Sequence, residues 1–169
     1  EGHLQPSSDT PTHLYLYSTF LSIGGIAHAH SEYATAFAQA GMEIPCYGTT
    51  QADFSPGPIP VTRELTEKEV GSDYELHTGK LIVERFKSID PAYYPACLVA
   101  GHGPFAWGKS AREAVEVIFM LERIAKMAVL TNLINPEAKS LKDYLIKKHF
   151  ERKHGPKAYY GQKKERENE

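Results

Sequence analysis

Apolar residues occur along this chain at two different spacings, which together predict a mixed α/β fold. Helical spacing predicts helices at residues 10–20, 32–40, 76–88, 110–132 and 138–150. Short apolar runs predict strands at residues 25–30 and 42–48, and a hairpin of two strands within 96–108. Because these strands pair directly in hairpins, we expect an antiparallel or mixed sheet flanked by helices rather than a doubly wound parallel sheet.

The same pattern indicates which helix faces are buried and where helices begin. Asp9 and Ser31 stand where they can cap helices, and "TEKE" (66–69) is a capping-box signal. Residues 50–64 are rich in Pro and Gly and predict mostly loop, whereas the charged tail 163–169 predicts disorder. Helical spacing predicts the following buried side chains: Leu14, Leu16, Tyr17, Phe20, Leu81, Ile82, Phe86, Val115, Ile118, Phe119, Leu121, Ile124 and Val129.

Length and charge restrict the class of protein. The chain has 169 residues, enough for one domain, and a net charge of −2 that gives no reason to expect a nucleic-acid or membrane partner. No apolar run approaches the length of a membrane span, about 20 residues. Cys46 and Cys97 are far apart and lack metal-type spacing, which favours reduced thiols in a cytoplasmic protein. The chain begins at Glu1 without a methionine, so we expect a fragment.

Three histidines are candidate metal ligands. His28 and His30 in "GGIAHAHS" share one face of the predicted strand, and His102 stands at a glycine-flanked turn after another strand. Each could instead be an ordinary polar side chain, but three imidazoles with an open position are a known catalytic zinc arrangement. A carboxylate could supply a fourth ligand, and both Asp9 and Asp53 are candidates.

No other catalytic machinery is visible in the sequence. It contains no phosphate-binding glycine loop and no nucleophile elbow. An enzyme built on this chain would therefore use a metal as a Lewis acid, with a carboxylate, histidine or tyrosine for proton transfer. The hydroxyls of "PSS" (6–8) at a helix start could hold a phosphate. The basic, aromatic stretch 147–162 is either a solvated helix end or a segment that presents Tyr159 or Tyr160 to a neighbouring subunit.

Five motifs in order resemble the class II aldolase/epimerase superfamily, and within it the sugar-phosphate 4-epimerases. They are "PSSDTPTH", "IGGIAHAHS", "GTTQADF", "HGPFAWG" and "RKHGPKAYYGQ", and they run from residue 6 to residue 162. The resemblance implies one domain over residues 1–162. Its expected fold is a class II aldolase-like three-layer α/β/α arrangement with a central, largely antiparallel sheet.

The resemblance also implies roles for particular residues. One Zn²⁺ ion per subunit, replaceable by Mn²⁺ or Co²⁺, would be held by Asp9, His28, His30 and His102. Proton transfer would fall to Asp53 and Tyr160, with Tyr160 serving a neighbouring subunit. Substrate would be bound by Ser7, Ser8, Thr49, Glu75, His149 and Arg152, with the phosphate on the two serines.

The implied reaction inverts C4 of a phosphorylated pentulose, interconverting L-ribulose 5-phosphate and D-xylulose 5-phosphate. A retro-aldol step would break the C3–C4 bond, and re-addition to the other face of the aldehyde would complete the inversion. The divalent cation would stabilise the enediolate. The implied assembly is a homotetramer with four-fold symmetry and sites at its subunit interfaces.

The chain departs from the family pattern in three places. The family's N-terminal segment, which carries further substrate-binding residues, is absent ahead of "PSSD". Gln51 replaces an expected histidine beside Asp53, so we expect it to alter the proton affinity or the orientation of that carboxylate. Ala100 and Gly101 replace more polar residues before His102.

Two other functions fit the same resemblance. A sugar-phosphate aldolase of the L-fuculose-phosphate type shares the three histidines but carries a glutamate in place of Asp9. An adducin-like interaction domain has the fold without the full metal site. Asp9 and the "AYYGQ" ending favour the epimerase.

Overall fold

The structure is a computed structural model that describes residues 3–160, so the predicted tail at 163–169 lies outside the described residues. Seven helices and three strands are described within this range. The helices are α1 (Thr10–Thr19), α2 (Glu32–Gln39), α3 (Thr49–Ala52), α4 (Glu67–Val70), α5 (Tyr74–Arg85), α6 (Ala111–Ile134) and α7 (Asp143–His154). The strands are β1 (Gly25–His28), β2 (Ala96–Val99) and β3 (Gly103–Gly108).

The three strands form one antiparallel sheet in the order β1-β3-β2. The predicted hairpin is therefore confirmed: β2 and β3 are joined by a turn in which Gly101 has a φ of +69°. Only glycine adopts that conformation without strain. The predicted strand at 25–30 is too long, because β1 ends at His28. Regular pairing with β3 stops there, because the next residue of β3 is Pro104, which has no N–H to donate.

Helices cover both faces of the sheet, so the predicted three-layer arrangement is confirmed. Side chains of α2 and α6 pack on one face against Leu98 and Ala106, and side chains of α1 and α5 pack on the other against Phe105 and Trp107. Neighbouring residues of β3 thus point to opposite cores. Both sides of the strand are buried, which explains why the sequence shows a continuous apolar run there.

Two stretches predicted between these elements differ from the structure. The predicted strand at 42–48 is reduced to a single bridge between Ile44 and Ile59, because Pro45 interrupts further pairing. The loop predicted at 50–64 contains the short helix α3 at its start. The capping box predicted for "TEKE" is present, with Thr66 and Glu69 bonded reciprocally.

The last helix lies further along the chain than the predicted 138–150. Leu141 is held in an extended segment by a hydrogen bond from its N–H to the oxygen of Cys46, 2.8 Å. The helix therefore begins at Asp143 and runs to His154, where Gly155 and Pro156 end it. This shift places His149 and Arg152 on one helix.

Several apolar side chains that were predicted to be buried are exposed. Leu14 and Tyr17 of α1, and Val115 and Phe119 of α6, lie on the outer faces of their helices, whereas Leu16, Phe20, Leu121 and Ile124 are buried. Asp9 and Ser31 occupy N-cap positions, but neither side chain makes the expected capping hydrogen bond.

Two smaller findings concern the thiols and the helices. Cys46 and Cys97 are free and buried, as predicted. Burial raises the pKa of the Cys46 thiol to about 11. No helix in residues 3–160 is long and apolar enough to cross a lipid bilayer.

We expect Trp107 to be a principal contributor to stability. Its ring lies 5.2 Å from the Phe20 ring and 5.1 Å from the Phe86 ring, and its Nε1 donates to the oxygen of Pro91. Trp107→Ala should lower the free energy of unfolding by about 3–5 kcal/mol, measured by urea denaturation followed by circular dichroism. Leu4→Ala, at a 94% exposed position, should change it by less than about 0.5 kcal/mol. An equal decrease in the free energy of unfolding in both variants would contradict this role of Trp107.

Candidate active site

Three histidines converge at one end of the sheet. One ring nitrogen from each of His28, His30 and His102 lies within 4.8 Å of the other two. The Nε2 atoms of His28 and His30 are 3.1 Å apart, although His30 lies two residues beyond the end of β1. The structure therefore brings together the three histidines predicted as ligands, and this group could hold a metal ion.

The sheet itself orients His28. It is the last residue of β1, directly opposite Phe105 of β3, and the two rings stack at 4.1 Å. Its Nδ1 lies 2.9 Å from the backbone oxygen of Pro104, so Nδ1 carries the proton and donates it. This fixes the tautomer and leaves the lone pair of Nε2 directed at the other two histidines.

The turn between β2 and β3 brings His102 to the same place. A Cβ on Gly103 would lie 3.2 Å from the ring of His30 and 3.0 Å from the oxygen of Ala29, so the absence of a side chain permits this close approach. The Tyr74 hydroxyl lies 3.4 Å from Nδ1 of His102. An Nδ1 proton shared with that hydroxyl would leave Nε2 as the ligand atom.

Electrostatics favour the neutral imidazoles that a metal requires. Burial lowers the pKa of His28, and the hydrogen bond to Pro104 and the charge of Asp9 offset this only in part. Burial also lowers the pKa of His102, with smaller contributions from His28 and His30. Neutral imidazole nitrogens with open coordination positions suit a catalytic cation.

Asp9 lies near this group but outside it. Its negative charge acts on the pKa values of His28 and His102, yet its carboxylate does not belong to the set of ligand atoms within 4.8 Å. Asp9 is half-buried at the start of α1, and its side chain makes no capping bond. Its role as a fourth ligand stays a prediction.

A second cluster of polar side chains joins α7 to Asp53, the residue that follows α3. The Arg152 guanidinium donates from Nη2 to Oδ2 at 2.7 Å and from Nε to Oδ1 at 3.1 Å. His149 Nδ1 lies 3.2 Å from Oδ1, and His154 Nε2 lies 2.9 Å from the backbone oxygen of Asp53. Because His149 and Arg152 are three residues apart on α7, both reach the same carboxylate.

This cluster keeps Asp53 ionised. Burial alone would raise its pKa, but the hydrogen bonds and positive charge of Arg152 and His149 outweigh burial and hold the pKa below its usual range. Both carboxylate oxygens are occupied, so Asp53 is better suited to orient His149 than to carry a proton itself. With Nδ1 of His149 directed at Asp53, Nε2 is the atom that can exchange a proton.

The remaining predicted residues lie near one cluster or the other. The ring of Tyr160 stacks on the Arg152 guanidinium at 4.1 Å, and Tyr160 is 53% exposed. Ser7 and Ser8 are exposed just before α1, and Thr49 is exposed at the start of α3. Glu75 is half-buried on α5, where its backbone oxygen accepts a hydrogen bond from Thr12.

The two clusters are separate within one chain. No hydrogen bond or ring contact joins them among residues 3–160. Asp53 and His154 line a cavity of about 480 Å³ between the start of α6 and the end of α7, and none of the three histidines lines it. The predicted metal ligands and the predicted proton carriers therefore make no direct contact with each other within residues 3–160.

Sequence reasoning missed two contacts of these clusters and misplaced a third. Tyr74 and His154 reach their partners across 28 and 101 residues, so no local spacing could have indicated them. Gln51 was expected to act on Asp53. Its side chain is instead buried and donates to the oxygen of Ile44, which secures the segment ahead of α3.

Sequence comparisons identify relatives of this chain. A family profile described as "Class II Aldolase and Adducin N-terminal domain" matches residues 1–129, which include all three histidines. A protein named L-ribulose-5-phosphate 4-epimerase UlaF, from Salmonella paratyphi C, is 55% identical over 163 residues, which cover 96% of this chain and 72% of the relative. The protein of the same name from Salmonella typhi is 54% identical over the same shares of both chains.

Comparisons with solved structures confirm the predicted class II aldolase-like fold. An L-fuculose 1-phosphate aldolase has a TM-score of 0.70 at 26% identity, covering 90% of this chain and 66% of that chain. The enzyme of that name from Glaciozyma antarctica PI12 has a TM-score of 0.63 at 17% identity, covering 83% and 48%, which shows a likeness of fold alone.

Removal of one imidazole should abolish metal binding. We expect His28→Ala and His102→Ala to lose the metal that the wild-type protein retains after dialysis, measured by elemental analysis, because two histidines leave too few ligands. His77→Ala, on α5 and outside the group, is the control and should retain it. Equal metal content in all variants would exclude these histidines as ligands.

The pair of Asp53 and Arg152 should stabilise the fold in a pH-dependent manner. The folded-state pKa of Asp53 lies below its ordinary value of 3.8, so the contribution is complete above that pH and is lost as the pH falls through the folded-state pKa. Urea midpoints should therefore separate wild type from Arg152→Gln at pH 7, begin to converge as the pH falls below 3.8, and coincide below the folded-state pKa of Asp53. Arg112→Gln, which removes a fully solvated pair with Glu116, is the control and should show no such dependence.

Proposed function

Because the chain belongs to the class II aldolase and adducin N-terminal domain family, we propose that it interconverts L-ribulose 5-phosphate and D-xylulose 5-phosphate. The observation that carries the proposal is the convergence of three histidines within a sequence that is 55% identical to a 4-epimerase. Inversion at C4 would proceed by cleavage and re-formation of the C3–C4 bond.

The metal in this proposal is Zn²⁺, held by His28, His30 and His102 with Asp9 as a further ligand. Neutral imidazole nitrogens with one carboxylate match the ligand preference of zinc, and also accept Mn²⁺ or Co²⁺. The cation would polarise the substrate carbonyl and stabilise the negative charge that develops on bond cleavage.

Proton transfer would fall to His149 of α7 together with Asp53, and to Tyr160. Asp53 stays ionised and orients His149, so the two act as one acid–base pair with His149 Nε2 as the exchanging atom. Tyr160, on the guanidinium of Arg152, would serve the opposite face of the aldehyde. Two separate proton carriers suit an inversion, because departure and re-addition occur on different faces. Ser7 and Ser8 would hold the phosphate, and Thr49 and Glu75 would contact the sugar.

Assembly into a homotetramer would unite the two clusters. The separation of the histidines from Asp53 within one chain supports a site shared between subunits. Exposed apolar side chains on α6, on α1 and just after α1 supply surface for such contacts: Leu14, Leu21, Val115, Phe119, Leu130, Leu133 and Ile134. In this arrangement α7 of one subunit serves the histidines of its neighbour.

An aldolase acting on a related sugar phosphate is the second candidate. The structural likeness to an L-fuculose 1-phosphate aldolase favours it, with a TM-score of 0.70 at 26% identity. The higher identity to 4-epimerases supports the first proposal. A non-catalytic adducin-like role is opposed by the three histidines, whose convergence suits metal binding.

The direct test is a substrate assay. The metal-loaded protein, supplied with L-ribulose 5-phosphate, should yield D-xylulose 5-phosphate, detected by a coupled enzyme assay. Cleavage of L-fuculose 1-phosphate serves as the comparison. Turnover of the fuculose substrate alone would replace the epimerase with the aldolase, and turnover of neither by metal-loaded, oligomeric protein would refute both.

Two neighbouring tyrosines provide a matched pair of variants. Tyr160→Phe should slow epimerisation by about 10²–10⁴-fold, the usual contribution of one acid–base group, while metal content stays unchanged. Tyr159→Phe, whose ring lies near Lys148 rather than on Arg152, is the control and should keep near-wild-type activity. Equal rates for Tyr160→Phe and wild type would remove Tyr160 from the mechanism.

A further inference from the structure

The start of α2 is capped by a carboxylate from a distant part of the chain. The two oxygens of Glu122, in the middle of α6, each accept a hydrogen bond of 2.9 Å from the backbone N–H groups of Tyr33 and Ala34. These are the second and third residues of α2. N–H groups in the first turn of a helix have no hydrogen-bond partner within that helix. They lie at the positive end of the helix dipole, which favours an anion.

The usual local cap is present in the sequence but is not used. Ser31 occupies the N-cap position, where a serine hydroxyl ordinarily accepts from the second or third N–H of the helix. Its Oγ is instead buried without a hydrogen-bond partner. A cap from Ser31 would satisfy the free N–H groups of α2 but would not fix the position of the helix start relative to the sheet. A cap from Glu122 does both, because α6 packs against the sheet.

His30 lies directly before Ser31, the N-cap residue of α2. It lies beyond the last residue of β1, and within residues 3–160 its ring has one hydrogen-bond contact, to His28. The short link from His28 to α2 is therefore held at its two ends, by the β1–β3 ladder and by Glu122. Lys126, one turn after Glu122, adds a second contact from α6, with Nζ 5.3 Å from the centre of the Tyr33 ring.

We propose that Glu122 is a positioning residue for the metal site, which holds His30 at ligand distance from His28 and His102 by capping α2 from α6. It touches neither metal nor substrate. The inference rests on the metal-binding part of the proposed function and on no particular substrate.

The test measures metal affinity and ligand geometry apart from activity. Titration of the metal-free protein with Co²⁺, followed by its visible absorption, gives a dissociation constant and a spectrum that reports the ligand set. Glu122→Ala should weaken Co²⁺ binding by about 10–100-fold and alter the spectrum, as loss of a supporting residue does at other metal sites. Glu122→Gln keeps one oxygen that can accept from one N–H, so its loss of Co²⁺ affinity should be smaller. This variant replaces Glu122→Ala in the test if the alanine variant does not fold.

Glu116→Gln is the matched control, since Glu116 lies on the same helix and pairs with the exposed Arg112 alone. It should bind Co²⁺ as the wild type does. A melting temperature that falls in the Glu122 variants while the dissociation constant and spectrum stay unchanged would show a purely structural cap and overturn the inference. That result would leave the proposed function intact, whereas wild-type protein that binds neither Co²⁺ nor Zn²⁺ would overturn both.

Discussion

The antiparallel pairing of β1 with β3 is the interaction on which the candidate site depends. Its register sets His28 opposite Phe105, and the ring stack and the hydrogen bond to Pro104 then fix the imidazole and its tautomer. The same strand begins at Gly103, just after the turn that carries His102. A slip of one residue would send His28 into the opposite core, because side chains alternate across a strand. Helices on both faces bury the sheet and exclude that slip.

The second cluster is organised by charge rather than by the sheet. Arg152 binds both oxygens of Asp53, and His149 and His154 add contacts from the same helix. The pair is half-buried, so water screens it less than a surface pair. It thereby holds α7 against Asp53 at the end of α3 and keeps Asp53 ionised.

Helices and strands could be predicted where local sequence determines them, and less accurately where contacts with distant residues set their bounds. The α5 helix, the capping box at Thr66 and the β2–β3 hairpin follow from periodicity, glycine and capping residues. The shortening of β1 depends on Pro104, some 75 residues away, and the late start of α7 depends on a bond from Leu141 to Cys46. Val115 and Phe119 have helical spacing with the core residues of α6 but lie on its outer face. The sheet contacts a narrower stripe of α6 than its apolar residues occupy.

The sequence by itself determined the chemistry of the candidate metal site: three imidazoles, glycines that let the turn approach them, and five motifs in order that resemble one superfamily. Only the tertiary structure decided how these side chains are held. The partners of Asp53 lie about 100 residues away, Glu122 lies 88 and 89 residues from the amides it caps, and Tyr74 reaches His102 from another layer. These contacts join residues that are far apart in the sequence. They leave no recognisable spacing in it, because a contact across the fold does not require the intervening chain to have a particular length or pattern.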